Sequence, residues 1–254
     1  MERWSGKVAL VTGASSGIGA NIVTELVRYN VKVVAIDIQF NKLEELKVKI
    51  ESLNLPGTIY PMKCDLTKEE EILNVFKYIQ KEHDEVNILI NNAVIYHIPL
   101  FADGKTENFR NIMDVNVIAA AICIREAVRL MSKSKNQGHI INITSISSRN
   151  AGNIKIPLSL YAGSKYALRA MCENVRNEIL SDGLNIKISN ISPGLVDTDM
   201  IKIFNVPPEL LSKLKLLSTK NITDGIIYAL ASPINVEIDE LAITPLHGVI
   251  PDKI

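Results

Sequence analysis

Short apolar runs alternate along the chain with longer segments whose apolar residues recur every three or four positions. Most of the short runs are continuously apolar, which is typical of strands buried on both faces of a parallel sheet. We predict strands over 8–11, 31–36, 58–62, 88–90, 139–143, 186–191 and 241–243. The longer segments predict helices over 18–29, 41–53, 68–82, 106–133, 160–181 and 222–231.

This strand–helix alternation runs through the whole chain without a low-complexity linker or a repeat. It predicts one doubly wound α/β domain over residues 1–254, with a seven-stranded, mainly parallel sheet flanked by helices. Thr67 and Glu70 form a capping-box pattern, which predicts the start of the third helix. Pro233 lies just past the last helical pattern, where a proline ends a helix.

Residues 199–221 depart from the alternation. They follow the sixth strand, are rich in Ile and Leu, and are divided by Pro207-Pro208. An apolar insert at the carboxyl edge of the sheet predicts a lid over a ligand cleft. A pair of surface helices packing their apolar faces inward is the alternative that the sequence leaves open.

Composition narrows the class of protein. Of 254 residues 47% are hydrophobic, and 28 basic residues balance 28 acidic ones, so no basic surface for nucleic acid or a membrane is expected. Cys64, Cys123 and Cys172 are scattered without a Cys-x-x-Cys, so we expect neither a disulfide framework nor a metal site. Without an early apolar stretch or a long apolar run, we expect no membrane span and a cytoplasmic location.

A glycine-rich turn, Thr12-Gly-Ala-Ser-Ser-Gly-Ile-Gly19, joins the first strand to the first helix. In that context Gly13 and Gly17 let the backbone turn and approach a pyrophosphate, and Gly19 permits close helix–strand packing. The helix N-terminus then offers free amides to phosphates. The turn therefore predicts dinucleotide binding on a Rossmann-type fold, with an ordinary tight turn as the alternative.

Asp37 ends the second strand, where a dinucleotide fold places the acid that accepts hydrogen bonds from the adenosine ribose. A carboxylate there repels a 2′-phosphate, and Ser16, Ile38 and Gln39 supply no cation. We therefore predict NAD as the cofactor, with NADP less favoured. The alternative is a capping aspartate for the helix that starts near Asn41.

Polar residues also follow the third and fourth strands. Asp65 is placed to accept a hydrogen bond from the adenine amino group, or to cap the next helix beside Thr67. Asn91-Asn92-Ala93-Val94 is placed to shape the cleft wall and tie neighbouring strands, or simply to form a turn.

Tyr161 and Lys165 lie four residues apart in Tyr161-Ala-Gly-Ser-Lys165, on one face of a predicted helix. A phenol with a pKa of about 10 is a poor base at neutral pH unless positive charge favours its ionised form. A lysine ammonium one turn away supplies that charge. With the glycine turn upstream, the pair indicates hydride transfer between a nicotinamide and an alcohol or ketone.

These motifs, in this order, resemble the short-chain dehydrogenase/reductase superfamily of the single-domain type, over essentially the whole length. The resemblance rests on the glycine turn, Asp65, Asn91-Asn92-Ala93, Asn116, Ser145, Tyr161-x-x-x-Lys165 and Pro193-Gly194-Leu-Val196-Asp-Thr198. The opening Met-Glu-Arg-Trp and the stretch from Gly138 are similar to a narrower group. That group contains the insect farnesol dehydrogenases and vertebrate relatives acting on steroids and other carbonyls.

The resemblance implies four catalytic residues. Tyr161 is the acid/base, Lys165 lowers the pKa of Tyr161 and holds the nicotinamide ribose, and Ser145 hydrogen-bonds the substrate oxygen. Asn116 helps to hold a water that links Lys165 to solvent. Ser147 and Ser148 compete with Ser145 for its role, and alignment to the end of the fifth strand favours Ser145. The implied cofactor-binding residues are Gly13, Ser15, Ser16, Gly17, Ile18, Gly19, Asp37, Asp65, Leu66, Asn92, Ala93, Tyr161, Lys165, Pro193, Gly194, Val196 and Thr198.

Three positions depart from the family pattern. Val94 stands where the family usually has glycine, and a β-branched side chain there crowds the adenosine. The narrower group commonly uses NADP through basic residues after the second strand, which Asp37 contradicts here. Residues 149–157, before the catalytic tyrosine, have a composition of their own and are expected to shape the substrate site.

The sequence therefore predicts an NAD-dependent short-chain alcohol dehydrogenase or carbonyl reductase. The apolar segment 199–221 favours a lipophilic substrate such as farnesol or another isoprenoid alcohol, a steroid or a medium-chain alcohol. The alternative is a non-catalytic nucleotide sensor or carrier on the same fold. The long helices 106–133 and 160–181 resemble those that form the family's interfaces, which implies a homodimer or homotetramer.

Overall fold

A computed structural model describes residues 1–97, 100–134, 137–154, 157–203 and 214–246. Its seven strands form one wholly parallel sheet in the order β3-β2-β1-β4-β5-β6-β7. Their bounds are β1 Val8–Thr12, β2 Lys32–Asp37, β3 Thr58–Lys63, β4 Ile88–Asn91, β5 Gly138–Ile143, β6 Ile186–Pro193 and β7 Glu240–Ile243. The predicted doubly wound, seven-stranded sheet is thus confirmed, with strand ends shifted by one or two residues.

The strand order reverses beside β1. The chain runs outward from β1 through β2 to β3, then returns to place β4 on the other side of β1. At such a switch point the loops after two neighbouring strands diverge and leave a crevice at the carboxyl edge of the sheet. The fold therefore fixes where a ligand binds before any side chain is considered.

Helices cover both faces of the sheet. The longer ones are α1 Gly17–Arg28, α2 Phe40–Ser52, α3 Glu69–His83, α4 Thr106–Met113, α5 Ala120–Ser134, α7 Leu160–Ser181 and α9 Thr219–Ala231. Two short ones are α6 Ser147–Asn150 and α8 Asp199–Ile203. The predicted helix 106–133 is α4 and α5 joined through a π-helical turn, Asp114–Ala119.

Two hydrophobic cores hold the layers together, one on each face of the sheet. The first packs α1, α2 and α9 against the sheet, and the second packs α3, α5 and α7 against the other face. All residues of β1, β4, β5 and β6 are buried, which explains why these strands are predominantly apolar.

The predicted capping box at the third helix is wrong. The α3 helix begins at Glu69, and Lys68, not Thr67, is its capping residue. The Thr67 hydroxyl instead donates to the Asp65 carboxylate at 2.7 Å, because that charged acceptor lies two residues away. A capping box does occur at α9, where Ser218 and Asn221 bond each other's backbone amides. The predicted helix stop near Pro233 is confirmed, since α9 ends at Ala231.

The N-terminal residues fasten the end of α9. The indole of Trp4, 2% exposed, donates to the Leu230 carbonyl at 2.8 Å, and the Arg3 guanidinium donates to the same oxygen. These bonds satisfy a carbonyl at a helix C-terminus that has no intrahelical partner. Among the described residues, no helix combines the length and apolarity needed to cross a membrane.

Candidate active site

A cleft of about 840 Å³ opens at the carboxyl edge of the sheet, at the switch point. It brings together the glycine turn, the ends of β2 to β6 and the start of α7. Of the site residues predicted from sequence, Ser15, Gly19 and Asn116 are the ones that do not line the cleft. Each of these three supports the lining residues from behind, as described below.

The glycine turn lies against the loop after β4. Gly13 and Gly17 have φ of 60° and 54°, a region that favours glycine. A Cβ on Gly13 would lie 2.7 Å from the Ala93 Cα, and one on Gly19 would lie 2.7 Å from the Asn92 Nδ2. The turn is therefore compact because its glycines admit neighbouring backbone, and its unobstructed surface faces the cleft.

Hydrogen bonds of the Asn92 and Thr12 side chains hold the glycine turn against the loop after β4. The Asn92 amide donates to the carbonyls of Thr12 and Gly13 at 3.0 and 2.9 Å. The Thr12 hydroxyl accepts from the backbone amides of Asn92 and Ala93, both at 3.0 Å. Thr12 was not among the predicted site residues. Its position at the last residue of β1, opposite the end of β4, is the signal that identifies its role.

Asp37 holds the glycine turn from the β2 side. Its carboxylate accepts from the backbone amides of Ser15 at 3.1 Å and Gln39 at 2.9 Å. The helix α2 begins at Phe40 without a side-chain cap, so Asp37 does not cap it. The carboxylate lines the cleft beside Ile38 and Gln39.

The Asp65 carboxylate is hydrogen-bonded and ion-paired within its own loop. Its Oδ1 accepts from the backbone amide and the hydroxyl of Thr67 at 3.0 and 2.7 Å, and Lys68 lies 3.4 Å from Oδ2. The Thr67 hydroxyl is the largest cause that holds the pKa of Asp65 below its ordinary value. The carboxylate is thus charged and fixed at the cleft wall, next to Leu66.

Asn116 sits in the π-helical turn and fastens the loop after β4. Its amide oxygen accepts from the Ile95 amide at 2.9 Å, and its nitrogen donates to the Ile95 carbonyl at 3.0 Å. The same nitrogen lies 3.1 Å from the Ser164 hydroxyl on α7. Asn116 therefore joins the loop after β4 to the helix that carries Tyr161 and Lys165.

Ser145 is held at the end of β5 by its serine neighbours. The backbone amide of Ser147 donates to the Ser145 hydroxyl at 3.1 Å, and the Ser148 hydroxyl donates to the Ser145 carbonyl at 2.6 Å. The Ser145 hydroxyl also hydrogen-bonds Tyr161. Among the three serines, Ser145 is thus the one whose hydroxyl pairs with the tyrosine.

Lys165 and Tyr161 lie side by side in the cleft. The Lys165 ammonium, 5.8 Å from the centre of the Tyr161 ring, donates to the Ile143 carbonyl at 2.7 Å. Burial lowers the pKa of Lys165 to about 7. Burial also raises the pKa of Tyr161 to about 12, against a lowering by the Ser145 hydroxyl. In this structure the phenol therefore keeps its proton at neutral pH, and the lowering by Lys165 stays a prediction.

A partly buried polar network supports Ser145 from the side of β7. The Glu240 carboxylate, 10% exposed, lies 3.1 Å from the Arg169 guanidinium and 3.5 Å from that of Arg149. It also accepts from the Ser192 hydroxyl at 2.8 Å, which in turn lies 2.7 Å from the Thr144 hydroxyl. Glu240 thus connects β7 to α6, α7 and the residue before Ser145.

The segment after β6 closes the end of the cleft. Gly194 donates to the Ile243 carbonyl at 2.8 Å, and Val196 pairs with Leu217 as a short parallel bridge. Thr198 packs near Gly17, since a Cβ added to Gly17 would lie 3.2 Å from the Thr198 methyl. Of the predicted lid, Asp199, Met200 and Ile201 line the cleft, and residues 204–213, with Pro207-Pro208, lie outside the described residues.

Apolar side chains that are not among the predicted catalytic and cofactor-binding residues also line the cleft. They come from the loops after β4 and β5 and the segment after β6, and their signal is position rather than motif. They are Val94, Ile95, Ile146, Ile154, Leu158, Leu195, Met200 and Ile201. Val94, and Ile154 from the departing segment, therefore line the cleft directly.

The residues present fit a dinucleotide. The glycine cradle has no room for a Cβ at Gly13, the α1 N-terminus opens beside Ser16, and Asp37 ends β2 at the same edge. These are the parts that bind a pyrophosphate and a ribose. Within the described part of the chain, no group of three or more His, Cys, Asp or Glu side chains is placed to hold a metal ion.

Comparison with known proteins agrees with this geometry. Residues 7–206 match the family described as short chain dehydrogenase, and the chain belongs to that family. It is 39% identical to dehydrogenase/reductase SDR family member 11 of Gallus gallus, over 98% of this chain and 100% of that protein. It is 36% identical to farnesol dehydrogenase of Aedes aegypti, over 97% of this chain and 98% of that protein.

Solved structures share the fold. An alcohol dehydrogenase from the archaeon Thermococcus sibiricus, complexed with 5-hydroxy-NADP, superposes with a TM-score of 0.81 at 22% identity, covering 93% of this chain and 95% of that one. A short-chain type dehydrogenase/reductase from Mycobacterium marinum gives 0.84 at 24% identity and 94% of each chain. The chain is thus a short-chain oxidoreductase with a Rossmann-type sheet.

Proposed function

We propose that this protein transfers a hydride between NAD(H) and a lipophilic alcohol or ketone. The observation that carries the proposal is the convergence of Ser145 and Tyr161 beside the buried Lys165 in a cleft that also holds a dinucleotide cradle. We further propose a cytoplasmic enzyme, one domain over 1–254 with 199–221 as its lid, that acts as a homodimer or homotetramer.

The cofactor preference rests on charge. Asp37 lines the cleft where the adenosine ribose of a dinucleotide is expected, and its carboxylate oxygens already accept from Ser15 and Gln39. Lys165 is the sole cation among the described residues that line the cleft. A 2′-phosphate beside Asp37 would meet a negative charge without a neutralising partner, which favours NAD.

The substrate class rests on the apolar wall. Ile154, Leu158, Leu195 and Met200 offer hydrocarbon surface, while Ser145 and Tyr161 supply the hydroxyls at the cleft's chemical end. Apolar walls with a few convergent polar groups suit a long hydrocarbon that bears one oxygen. Farnesol, which the name of the Aedes aegypti relative gives as that protein's substrate, fits this description.

Each catalytic residue has a task that its surroundings support. Tyr161, protonated in this structure, donates its proton to a carbonyl oxygen during reduction and takes it back during oxidation. Ser145 hydrogen-bonds the same oxygen, which favours the charge developing there. Lys165 supplies positive charge near the phenol, and Asn116 holds the intervening loop and α7 together. The nicotinamide, when bound, supplies or accepts the hydride.

The activity test uses the intact protein with NAD and a panel of alcohols that includes farnesol, followed by the absorbance of the reduced cofactor. We expect turnover with long apolar alcohols and a loss of at least about a hundredfold in kcat/KM for Tyr161→Phe. Full activity in Tyr161→Phe would refute the assigned role. Cofactor binding without turnover on the whole panel would instead favour a nucleotide sensor or carrier.

The cofactor test compares Kd for NAD and NADP by titration calorimetry. We expect Asp37→Ser to shift the ratio of the two constants towards NADP by about tenfold or more, because a repelling charge is removed. Glu45→Ser, which removes an exposed acid on α2, is the matched control and should leave the ratio unchanged. An unshifted ratio in Asp37→Ser, or tighter NADP binding by the natural protein, contradicts the NAD assignment.

A further inference from the structure

A second tyrosine, Tyr96, packs directly against the catalytic one. The rings of Tyr96 and Tyr161 meet edge to face, with centres 5.4 Å apart and planes at 87°. Tyr96 is 4% exposed, so this contact is dry. Edge-to-face aromatic pairs have a preferred geometry and therefore restrict the orientation of both rings.

The backbone of Tyr96 is itself held in place. The preceding residue, Ile95, has both its amide and its carbonyl bonded by the Asn116 side chain, at 2.9 and 3.0 Å. Because Asn116 also contacts Ser164 on α7, the base of Tyr96 and the helix that carries Tyr161 share one anchor. The Tyr96 ring thus approaches Tyr161 from a fixed point.

The Tyr96 hydroxyl reaches the segment that leads into α7. It donates to the Pro157 carbonyl, and the Tyr161 amide donates to the Leu158 carbonyl at 3.0 Å. Between them, Ser159 has φ of 46° and ψ of −135°, a conformation that non-glycine residues rarely adopt. An unfavourable backbone conformation persists where surrounding contacts determine it, and the Tyr96 hydroxyl provides one such contact.

We propose that Tyr96 is a positioning residue for Tyr161. Its ring sets the orientation of the catalytic phenol, and its hydroxyl fixes the entry to α7, where Leu158 lines the substrate wall. The kinetic effects that we expect of Tyr96 rest on the proposed hydride-transfer function, whereas its structural effects on Tyr161 do not. Burial is the largest cause of the raised pKa of Tyr161, and the charge interaction with Tyr96 raises that pKa further.

Two variants separate the ring from the hydroxyl. Tyr96→Phe keeps the ring, so we expect kcat to stay near normal while KM rises, because the wall near Leu158 is less restrained. Tyr96→Leu removes the aromatic contact, so we expect kcat to fall about two- to twelvefold, the equivalent of one aromatic pair. We also expect the pH dependence of kcat/KM to shift in Tyr96→Leu, because water then reaches the Tyr161 phenol. Tyr228→Leu, an exposed tyrosine on α9, is the control.

A second measurement does not depend on turnover. Ultraviolet difference titration of the natural protein against Tyr161→Phe isolates the ionisation of Tyr161. The same difference measured in the Tyr96→Leu background should show that ionisation at lower pH. An unchanged Tyr161 ionisation, or a kcat and pH profile equal to those of the natural protein with only a lower melting temperature, overturns the proposal. If the natural protein turns over no substrate but the ionisation shifts, the proposed function fails and the positioning role stands.

Discussion

Replacing Gly19 by alanine tests how tightly the glycine turn is packed. The added Cβ would fall far inside contact distance of the Gly13 carbonyl and lie 2.7 Å from the Asn92 Nδ2, and those two atoms share a 2.9 Å hydrogen bond. Overpacking of this kind costs about 1–3 kcal/mol. Breaking the hydrogen bond adds about 1 kcal/mol, and the better helix propensity of alanine returns about 1 kcal/mol.

We therefore expect Gly19→Ala to lower the free energy of unfolding by about 1–3 kcal/mol, or the melting temperature by about 3–10 °C. If the turn moves to relieve the contact, NAD binding measured by calorimetry weakens by about five- to a hundredfold.

Gly163→Ala on α7 is the control. Its Cβ would meet nothing nearer than a Leu160 methyl at 3.5 Å, and it should stabilise the helix by about 0.5–1 kcal/mol. An unfolding midpoint and a Kd unchanged by Gly19→Ala would show that the turn has room and that the packing argument is wrong.

Three further substitutions have defined outcomes. The pKa of Lys165 is lowered to about 7 in the folded protein against 10.5 for the ordinary group, so the unfolded chain binds more protons between these values and stability rises with pH there. Lys165→Met should abolish that rise in urea unfolding followed from pH 7 to 10, and a parallel pH dependence in both proteins would contradict it. Trp4→Phe loses the bond to Leu230 and should cost about 1–3 kcal/mol in the same assay, whereas an unchanged midpoint would show that Arg3 suffices. Glu240→Gln should cost about 1 kcal/mol, because it removes the countercharge of Arg149 and leaves Arg169 with Glu173 alone, and this cost should exceed that of Asp239→Asn, whose carboxylate is 68% exposed; equal costs would argue against the network.

The periodic pattern of the sequence was enough to predict the sheet. The strands are short runs rich in apolar residues between helical segments, so all seven were predicted, and the motif order indicated the family that the comparisons confirm. Helix ends were less predictable, because the Thr67 hydroxyl can either accept from an amide at the start of a helix or donate to a nearby carboxylate. Only the folded loop shows that it prefers Asp65 to the start of α3.

The site residues that belong to a local sequence motif were predictable, and those that only tertiary contacts bring to the site were not. Gly13, Ser145, Tyr161 and Lys165 belong to local patterns, and the fold brings them to one cleft. Glu240 has no local pattern, because its partners lie on three other elements. The same holds for Tyr96, whose contact with Tyr161 exists only after β4 and α7 are in place.

The π-helical turn Asp114–Ala119 means that the long helix between β4 and β5 carries a surplus residue. The extra residue rotates α4 relative to α5 about the helix axis. As a result α4 contacts α7, whereas α5 contacts α3 and β4. Deleting a single amino acid from this turn would let the long helix become uniform. Asn116 would then swing away from Ile95, and the loop after β4 would lose its tie to α7 without any change in the reacting groups themselves.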